Sequence, residues 1–167
     1  MRIFLFCLAG LLALSGCAHY NLGSGGKLAF KTLYVAPVVN ESNLPQAIAV
    51  VSTELRESFL RDGRVTLVNS IDEADAILTV RLLKYGRGVT AGQAGDTGLA
   101  RKFDLTLNAD ATLRDNRSGK FLFEKRKIEA VRQAYADSGQ LQSEYQTVPL
   151  LAGTLAKHVL SATLDVW

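Results

Sequence analysis

Cysteine is nearly missing from this sequence of 167 residues, and its two copies, Cys7 and Cys17, both lie in the first 17 positions. The remainder of the chain therefore offers no thiol nucleophile, no disulfide and no cysteine ligand for a metal. The two histidines, His19 and His158, are placed too far apart to supply the clustered ligands of a zinc site, and we interpret His158 as a partly buried packing residue. We therefore expect no enzyme, with no catalytic residue, no metal site and no cofactor.

Long hydrophobic runs and a dominant charge are also missing. After the first 16 residues no stretch approaches the roughly 20 apolar residues that a membrane-spanning helix needs. The formal net charge is only +3, without an acidic or basic tail, so we expect no nucleic-acid partner. Ser24 and Lys27 match the S-x-x-K pattern of serine acyltransferases, but they lie in a glycine-rich stretch and lack that family's partner motifs.

The N-terminus has the layout of a secretory signal peptide over residues 1–16. Arg2 supplies one cation, the run from Ile3 to Leu14 is apolar, and small residues precede Cys17. The ending Leu-Ser-Gly-Cys matches a bacterial lipobox, in which the cysteine is lipidated and becomes the first residue of the mature chain. The alternative is an ordinary secretory signal whose cleavage site happens to precede a cysteine.

Lipidation of Cys17 predicts a location. We expect a diacylglyceryl thioether and usually a third, amide-linked acyl chain such as palmitate. Each buried methylene contributes about 0.8 kcal/mol, so two or three chains hold a protein durably at a membrane. Ala18 follows the cysteine where inner-membrane lipoproteins usually carry Asp, which favours the periplasmic leaflet of the outer membrane.

Beyond the anchor, the pattern predicts a leash and one domain. Residues 17–32 include Gly23, Ser24, Gly25 and Gly26 and are expected to form a flexible linker to a single domain over 33–167. The predicted strands are Leu33–Val39, Val65–Val68, Ala76–Tyr85, Phe103–Arg114 and Lys120–Val131, and the predicted helices are Pro45–Arg61 and a C-terminal one from about Glu144.

Several local patterns carry these predictions. Strict alternation of apolar and polar residues from Phe103 to Arg114 indicates a strand with one buried and one wet face. Five glycines between Gly86 and Gly98 indicate a mobile connection, and the blurred alternation at Lys125–Lys127 indicates a bulge. A hairpin turn is expected at Asp115–Gly119, and Gly63 should end the first helix. The expected apolar stripes are Ile48, Val51, Leu55 and Phe59 on the first helix and Leu150, Leu151, Leu155, Val159, Ala162 and Val166 on the second.

This order of elements predicts an α+β fold. Two helices are too few to cover both faces of a sheet, so we expect a two-layer sandwich in which both pack on one face of a mixed, four- to five-stranded sheet. The other face would meet water or a partner.

Cations gather in two regions, Lys84–Lys102 and Arg114–Lys127. Because arginine binds phosphate bidentately, these groups could hold a phosphorylated glycolipid. The competing interpretation is that lysines on exposed strands prevent edge pairing and aid solubility. The candidate phosphate contacts are Arg87, Arg101, Lys102, Arg117 and Lys120.

Taken in order, several segments make this chain similar to a known family. They are the lipidated cysteine and following aromatic in Cys17–Leu22, the strand and asparagine in Val35–Asn40, the helix end in Phe59–Arg64, the strand start in Ala74–Ala76, and Leu113–Asp115 before the hairpin. The ordered set resembles the LptE family, outer-membrane lipoproteins that help assemble and operate the lipopolysaccharide export barrel. The resemblance spans nearly all of residues 17–167, and the glycine-rich run Gly86–Leu99 departs from it.

This resemblance implies an α+β domain that plugs and helps assemble a large LptD-like β-barrel, contacts lipopolysaccharide directly and is held at the membrane by its lipid. Other interpretations stay open. They are an accessory or binding lipoprotein of another envelope secretion or efflux system, a hydrolase of cell-wall or lipid substrates, and a purely structural envelope lipoprotein.

Overall fold

The computed structural model describes residues 28–91, 102–135 and 140–165. The predicted signal peptide, residues 17–27 of the predicted leash, and Arg101 lie outside these ranges, whereas the leash residues 28–32 are described and end in β1. The elements are β1 (Thr32–Val35), β2 (Val39–Asn40), α1 (Ala47–Asp62), β3 (Thr66–Leu67), a 3-10 helix (Ile71–Glu73), β4 (Ala76–Ala91), β5 (Lys102–Asp115), β6 (Phe121–Tyr135) and α2 (Gln140–Leu164).

The strands form one mixed sheet. Its order is β3-β1-β4-β5-β6, and β2 pairs with β4 off this path. The short strands β1, β2 and β3 run parallel to their neighbours, whereas β4, β5 and β6 are long and antiparallel. This confirms the predicted α+β class, with six strands in the sheet because Pro37 separates the predicted first strand into β1 and β2.

Both helices pack on one face of this sheet, as predicted. Arg64, just after α1, forms an ion pair at 2.8 Å with Asp165, just after α2, so the helices lie side by side and run in the same direction. Neither helix in the described ranges has the length and apolar content to cross a lipid bilayer. The core joins inward side chains of both layers, among them Val51, Leu55, Phe59, Leu105, Leu107, Leu151 and Leu155.

Two residues of the expected apolar stripes are exposed instead of buried, and a third, Val166, lies outside the described residues. Ile48 lies in the first turn of α1, and the packing of large side chains begins one turn later, at Val51. Leu150 is exposed because it points about 100° away from Leu151, which lies in the buried stripe. Those two predictions were wrong, whereas Gly63 ends α1 as expected, with a φ of 72°.

The expected glycine-rich connection begins later than predicted. Gly86 and Gly88 lie inside β4, which continues to Ala91 and pairs Gly86 with Thr106 and Gly88 with Asp104. Glycine disfavours strands, but pairing with β5 continues through both glycines as far as Val89, where the register shifts, and outweighs that preference. The rest of the predicted connection, 92–98, lies outside the described residues.

The predicted bulge is confirmed in β6. Ala111 pairs with Arg126 and Leu113 with Phe123, so Thr112 faces two residues of β6 instead of one. Lys125 is one of these two, and it has a φ of 47°, unusual for a residue with a side chain. Its backbone N–H donates to Oγ1 of Thr112 at 3.1 Å.

Asp75 joins three parts of the fold at one end of the sheet. Its Oδ2 accepts the backbone N–H groups of Lys31 and Thr32, both at 3.0 Å, and its Oδ1 lies 2.7 Å from Nη2 of Arg117 in the hairpin turn. These bonds, led by the one from the Lys31 backbone, lower the pKa of Asp75 from its ordinary value near 3.8 to about 2.

We expect Asp75 to make stability fall at acidic pH. Its folded-state pKa is lowered, so its contribution is fully present above pH 4 and disappears as the pH falls from about 4 to about 2. Asp75→Asn should lower the free energy of unfolding at pH 7 and flatten this part of the pH profile. Urea unfolding at several pH values, with Asp72→Asn as an exposed control, measures this. Equal profiles for wild type and Asp75→Asn would contradict it.

Replacing Gly63 tests the helix end. A Cβ there would meet nothing within 4 Å, so Gly63→Ala should destabilise the protein only through its positive φ, by about 1 kcal/mol. Gly86 is the matched control, because a Cβ there also meets open space but its φ is not positive. Gly86→Ala should therefore change the free energy of urea unfolding much less. A cost as large as that of Gly63→Ala would contradict the explanation.

Candidate functional site

The face of the sheet opposite the helices, called here the helix-free face, is built on β5. Alternate β5 residues from Phe103 to Leu113 are buried against the helices, so the residues between them point the other way. Cross-strand register brings neighbours from β4 and β6 to the same side. They are Thr79, Arg81, Lys84, Gly86 and Gly88 from β4, and Lys127, Glu129, Val131 and Gln133 from β6.

Asp110 lies at the centre of this face and is nevertheless buried, with only 2% of its side chain exposed. The alternation predicted a solvent-facing residue, so that expectation was wrong. The physical reason is that cations from the two neighbouring strands lie across the carboxylate. Arg81 from β4 and Lys127 from β6 are both register partners of Asp110.

The contacts of Asp110 are charge-assisted. Nε of Arg81 donates to Oδ1 at 3.1 Å and Nη2 donates to Oδ2 at 2.7 Å, a bidentate pair. Nζ of Lys127 lies 3.8 Å from Oδ2. Hydrogen bonding by Arg81 lowers the pKa of Asp110, aided by the charges of Lys127 and Lys125, so the carboxylate is ionised at neutral pH.

A second carboxylate completes the group. Glu41 follows β2, and its Oε1 lies 3.3 Å from Nη1 of Arg81. All three guanidinium nitrogens of Arg81 thus contact a carboxylate oxygen. We call Glu41, Arg81, Asp110, Lys125 and Lys127 the Asp110 cluster.

The cluster presents positive charge outward. The side chains of Lys125 and Lys127 are 64% and 75% exposed, whereas the central carboxylate of Asp110 is hidden beneath its neighbours. The exposed Lys84 and the half-buried Arg114 lie on the same face on either side. The most exposed charges of the cluster are therefore two ammonium groups, and the carboxylate of Glu41 is itself 51% exposed.

A flat strip adjoins the cluster. Gly86 and Gly88 have no side chain, and a Cβ at either position would meet nothing within 4 Å. In the row of Gly86 lie Thr106 and the exposed Val131, and in the row of Gly88 lie Asp104 and Gln133. Cations therefore border a short flat strip at Gly86, Thr106 and Val131, which could take the apolar part of a phosphorylated ligand and which ends at the carboxylate of Asp104.

The structure describes four of the five sequence-predicted phosphate contacts and does not bring those four together. Arg101 lies outside the described residues. Lys102 is at one end of β5, whereas Arg117 and Lys120 lie in or beside the hairpin turn at the other end. At 3.4 Å per residue, that strand separates its ends by about 44 Å.

Two of these residues have carboxylate partners. Arg117 pairs with Asp75, as described above, although its side chain stays exposed. Arg87 faces the helices and lies 2.7 Å from Oε2 of Glu144 on α2, while the Tyr85 hydroxyl donates to the other oxygen of Glu144. Both arginines fasten elements of the fold, and lipopolysaccharide contact by any of the five stays a prediction.

His158 is exposed, and its Nδ1 lies 2.7 Å from the carbonyl oxygen of Glu129. The interpretation of His158 as a partly buried packing residue was therefore wrong, because its ring reaches along the surface to β6. Within the described ranges no group of three or more His, Cys, Asp or Glu side chains could hold a metal ion.

Solved structures share this fold. A minor lipoprotein from Acinetobacter baumannii is 19% identical, with a TM-score of 0.53 over 83% of this chain and 96% of that one. An uncharacterized lipoprotein B from Nitrosomonas europaea is 18% identical, with a TM-score of 0.53 over 83% and 82%. A hypothetical protein from Chlamydia trachomatis is 12% identical, with a TM-score of 0.55 over 80% and 95%. At these identities the likeness concerns the fold alone.

No protein of curated function matches this sequence significantly. The family described as LptE, lipopolysaccharide-assembly, matches residues 30–162. That range begins just before β1 and ends near the C-terminus of α2, so it includes both layers and the helix-free face. The chain belongs to the LptE lipopolysaccharide-assembly family.

Proposed function

We propose that this chain is a lipid-anchored outer-membrane component of the lipopolysaccharide transport and assembly complex, and that it binds lipopolysaccharide through the helix-free face. The observation that carries the proposal is the Asp110 cluster, whose exposed lysines border the flat strip at Gly86 and Gly88. Family membership supports the assembly role.

The chemistry of the face fits a phosphorylated glycolipid. Lysine ammonium groups form charge-assisted hydrogen bonds to phosphate oxygens, and Lys125 and Lys127 are exposed enough for a phosphate to reach them. The strip beside them offers a flat surface over which apolar chains lose contact with water, and burial of apolar area is favourable. Lys102 lies at the far end of the same face and would extend the contact.

We also propose an LptD-like β-barrel as the protein partner and Cys17 as the anchor. Because Leu28 comes 11 positions after Cys17, the leash spans at most roughly 40 Å, which keeps the domain near the membrane while letting it enter a barrel. Filling a lumen and contacting a ligand require no covalent chemistry, consistent with a role without catalysis.

Charge reversal tests the ligand face. The double variant Lys125→Glu, Lys127→Glu should weaken binding of purified lipopolysaccharide by at least about tenfold, because two attractive contacts become repulsive. The matched control is Lys157→Glu, an exposed lysine on α2. Affinity is measured on the full chain purified in mild detergent. Unchanged affinity in the double variant, or an equal loss in the control, would refute the assigned face.

The same assay tests the sequence-predicted contacts. Arg117→Glu, Lys120→Glu reverses two charges at the hairpin end of the sheet. If the Asp110 cluster is the main phosphate site, this variant should lose less affinity than Lys125→Glu, Lys127→Glu. A larger loss would move the site to the hairpin turn.

Replacing Cys17 tests the anchor. Cys17→Ala should abolish acylation and remove the protein from the outer-membrane fraction, since no acyl chain then partitions into the bilayer. Mass spectrometry of the mature N-terminus and membrane fractionation measure this. An unmodified terminus in the wild type would contradict the proposal.

Co-purification identifies the partner. After mild detergent extraction of the lipidated wild type, the lipopolysaccharide-export barrel should be recovered at about one copy per copy of this chain. Recovery of a different secretion or efflux assembly in its place would favour the accessory-lipoprotein interpretation instead.

A further inference from the structure

The Asp110 cluster contains a carboxylate where a bound phosphate would have to go. We propose that Asp110 is an internal counter-ion that occupies Arg81 in the ligand-free protein and thereby lowers the affinity of the helix-free face for phosphorylated lipid. This inference rests on the proposed function and concerns how tightly that same site binds.

The geometry of Arg81 supports the proposal. A guanidinium binds a phosphate best through a bidentate contact, and one of the two bidentate edges of Arg81, Nε and Nη2, is already bound to Asp110 at 3.1 and 2.7 Å. The remaining nitrogen, Nη1, lies 3.3 Å from Glu41. A phosphate can use the Nε and Nη2 edge only by displacing Asp110, and the other edge, Nη1 and Nη2, only by displacing the weaker contact to Glu41.

The lysines differ from Arg81 in this respect. Lys127 lies 3.8 Å from Asp110, beyond hydrogen-bonding distance, and three quarters of its side chain is exposed. Lys125 is also largely exposed, and the one ion pair of its ammonium group among the described residues is with its neighbour Glu124, at 4.0 Å. A phosphate therefore meets the lysines without displacing anything, and competes with Asp110 only for Arg81.

Such competition has a functional consequence. A protein that passes a ligand onward must release it. When the phosphate leaves Arg81, Asp110 contacts the guanidinium again, and this contact offsets much of the free energy that is lost with the ligand. The charge of Asp110 also repels the arriving phosphate from a few ångströms away. Both effects make the affinity for phosphorylated lipid lower than it would be with the cations alone.

A purely positioning role makes the opposite prediction. If Asp110 served only to hold Arg81 in place for the ligand, its loss would misplace the guanidinium and weaken binding. The direction of the affinity change in an Asp110 variant therefore separates the two roles.

The experiment compares three neutralising variants of the full chain in mild detergent, with purified lipopolysaccharide as the probe. Asp110→Asn keeps the shape and should bind about tenfold more tightly than wild type. Glu41→Gln, at the exposed contact of Arg81, should gain about two- to threefold. Glu129→Gln is the control. It removes the same charge one row away on β6, from a side chain without an ion-pair partner among the described residues, and its affinity should rise less than that of either other variant.

The outcomes separate the two proposals. If wild type does not bind lipopolysaccharide, the proposed function fails. If wild type binds and Asp110→Asn binds equally or more weakly, the counter-ion role fails while the proposed function stands. A gain in Glu129→Gln equal to that in Asp110→Asn also overturns it, because general charge then explains the effect. Should Asp110→Asn not fold, Glu41→Gln decides, with no gain overturning the proposal.

A second probe ties the gain to phosphate. With lipopolysaccharide whose lipid phosphates have been removed enzymatically, Asp110→Asn and wild type should bind with the same affinity. Micelles of phosphatidylglycerol distinguish the source of the phosphate, and an equal gain there would show that any anionic lipid competes with Asp110. A gain that persists with the dephosphorylated probe would overturn the counter-ion role.

Discussion

The register of the antiparallel ribbon β4–β5–β6 is the constraint on which the other features depend. Successive strand residues point to opposite faces, so burying Phe103, Leu105 and Leu107 against the helices commits every intervening side chain of β5 to the other face. Slippage by one residue would expose this apolar set and bury the polar one. The apolar face of β5 thus sets both the packing of the helices and the composition of the face that they leave uncovered.

Given that register, the Asp110 cluster follows from cross-strand pairing. Asp110 has Arg81 on one side and Lys127 on the other, and the bulge in β6 brings Lys125 to the same group. Removing a carboxylate from water is unfavourable unless cations and hydrogen bonds replace the solvent, and here they do. The result is a surface on which exposed lysine side chains lie over the buried carboxylate of Asp110. This arrangement is the physical basis of the proposal that the ligand is phosphorylated.

Much of the fold was predictable because its signals are local. The period of two in β5 reflects a strand with one buried face, and the disturbed alternation at Lys125–Lys127 indicated the bulge that the structure contains. Gly63 was recognisable as a helix end because few other residues adopt a left-handed conformation readily. By contrast, Gly86 and Gly88 were assigned to a loop because their strand conformation depends on pairing with β5, which is distant in sequence.

The site was less predictable than the fold. Arg87 and Arg117 were selected for charge and position, but whether an arginine is engaged by a carboxylate depends on residues such as Glu144 and Asp75 from other elements. The sequence did not indicate that Arg81 and Lys127 lie on either side of one carboxylate, because 46 positions separate them in the chain. The nearest sequence signal was Asp110 itself, an acidic residue at the middle of a long strand, which becomes meaningful only once its neighbours are known.

The sequence by itself determined the family, the α+β class and the alternation of β5, since each depends on residues close together or on their order, and the lipobox pattern ending at Cys17 stays a prediction. Tertiary structure alone decided which cations share a surface, which are bound to carboxylates and that Asp110 is buried. The physical reason is that charge–charge energies depend on distances across strands, and those distances follow from register and packing rather than from separation along the chain.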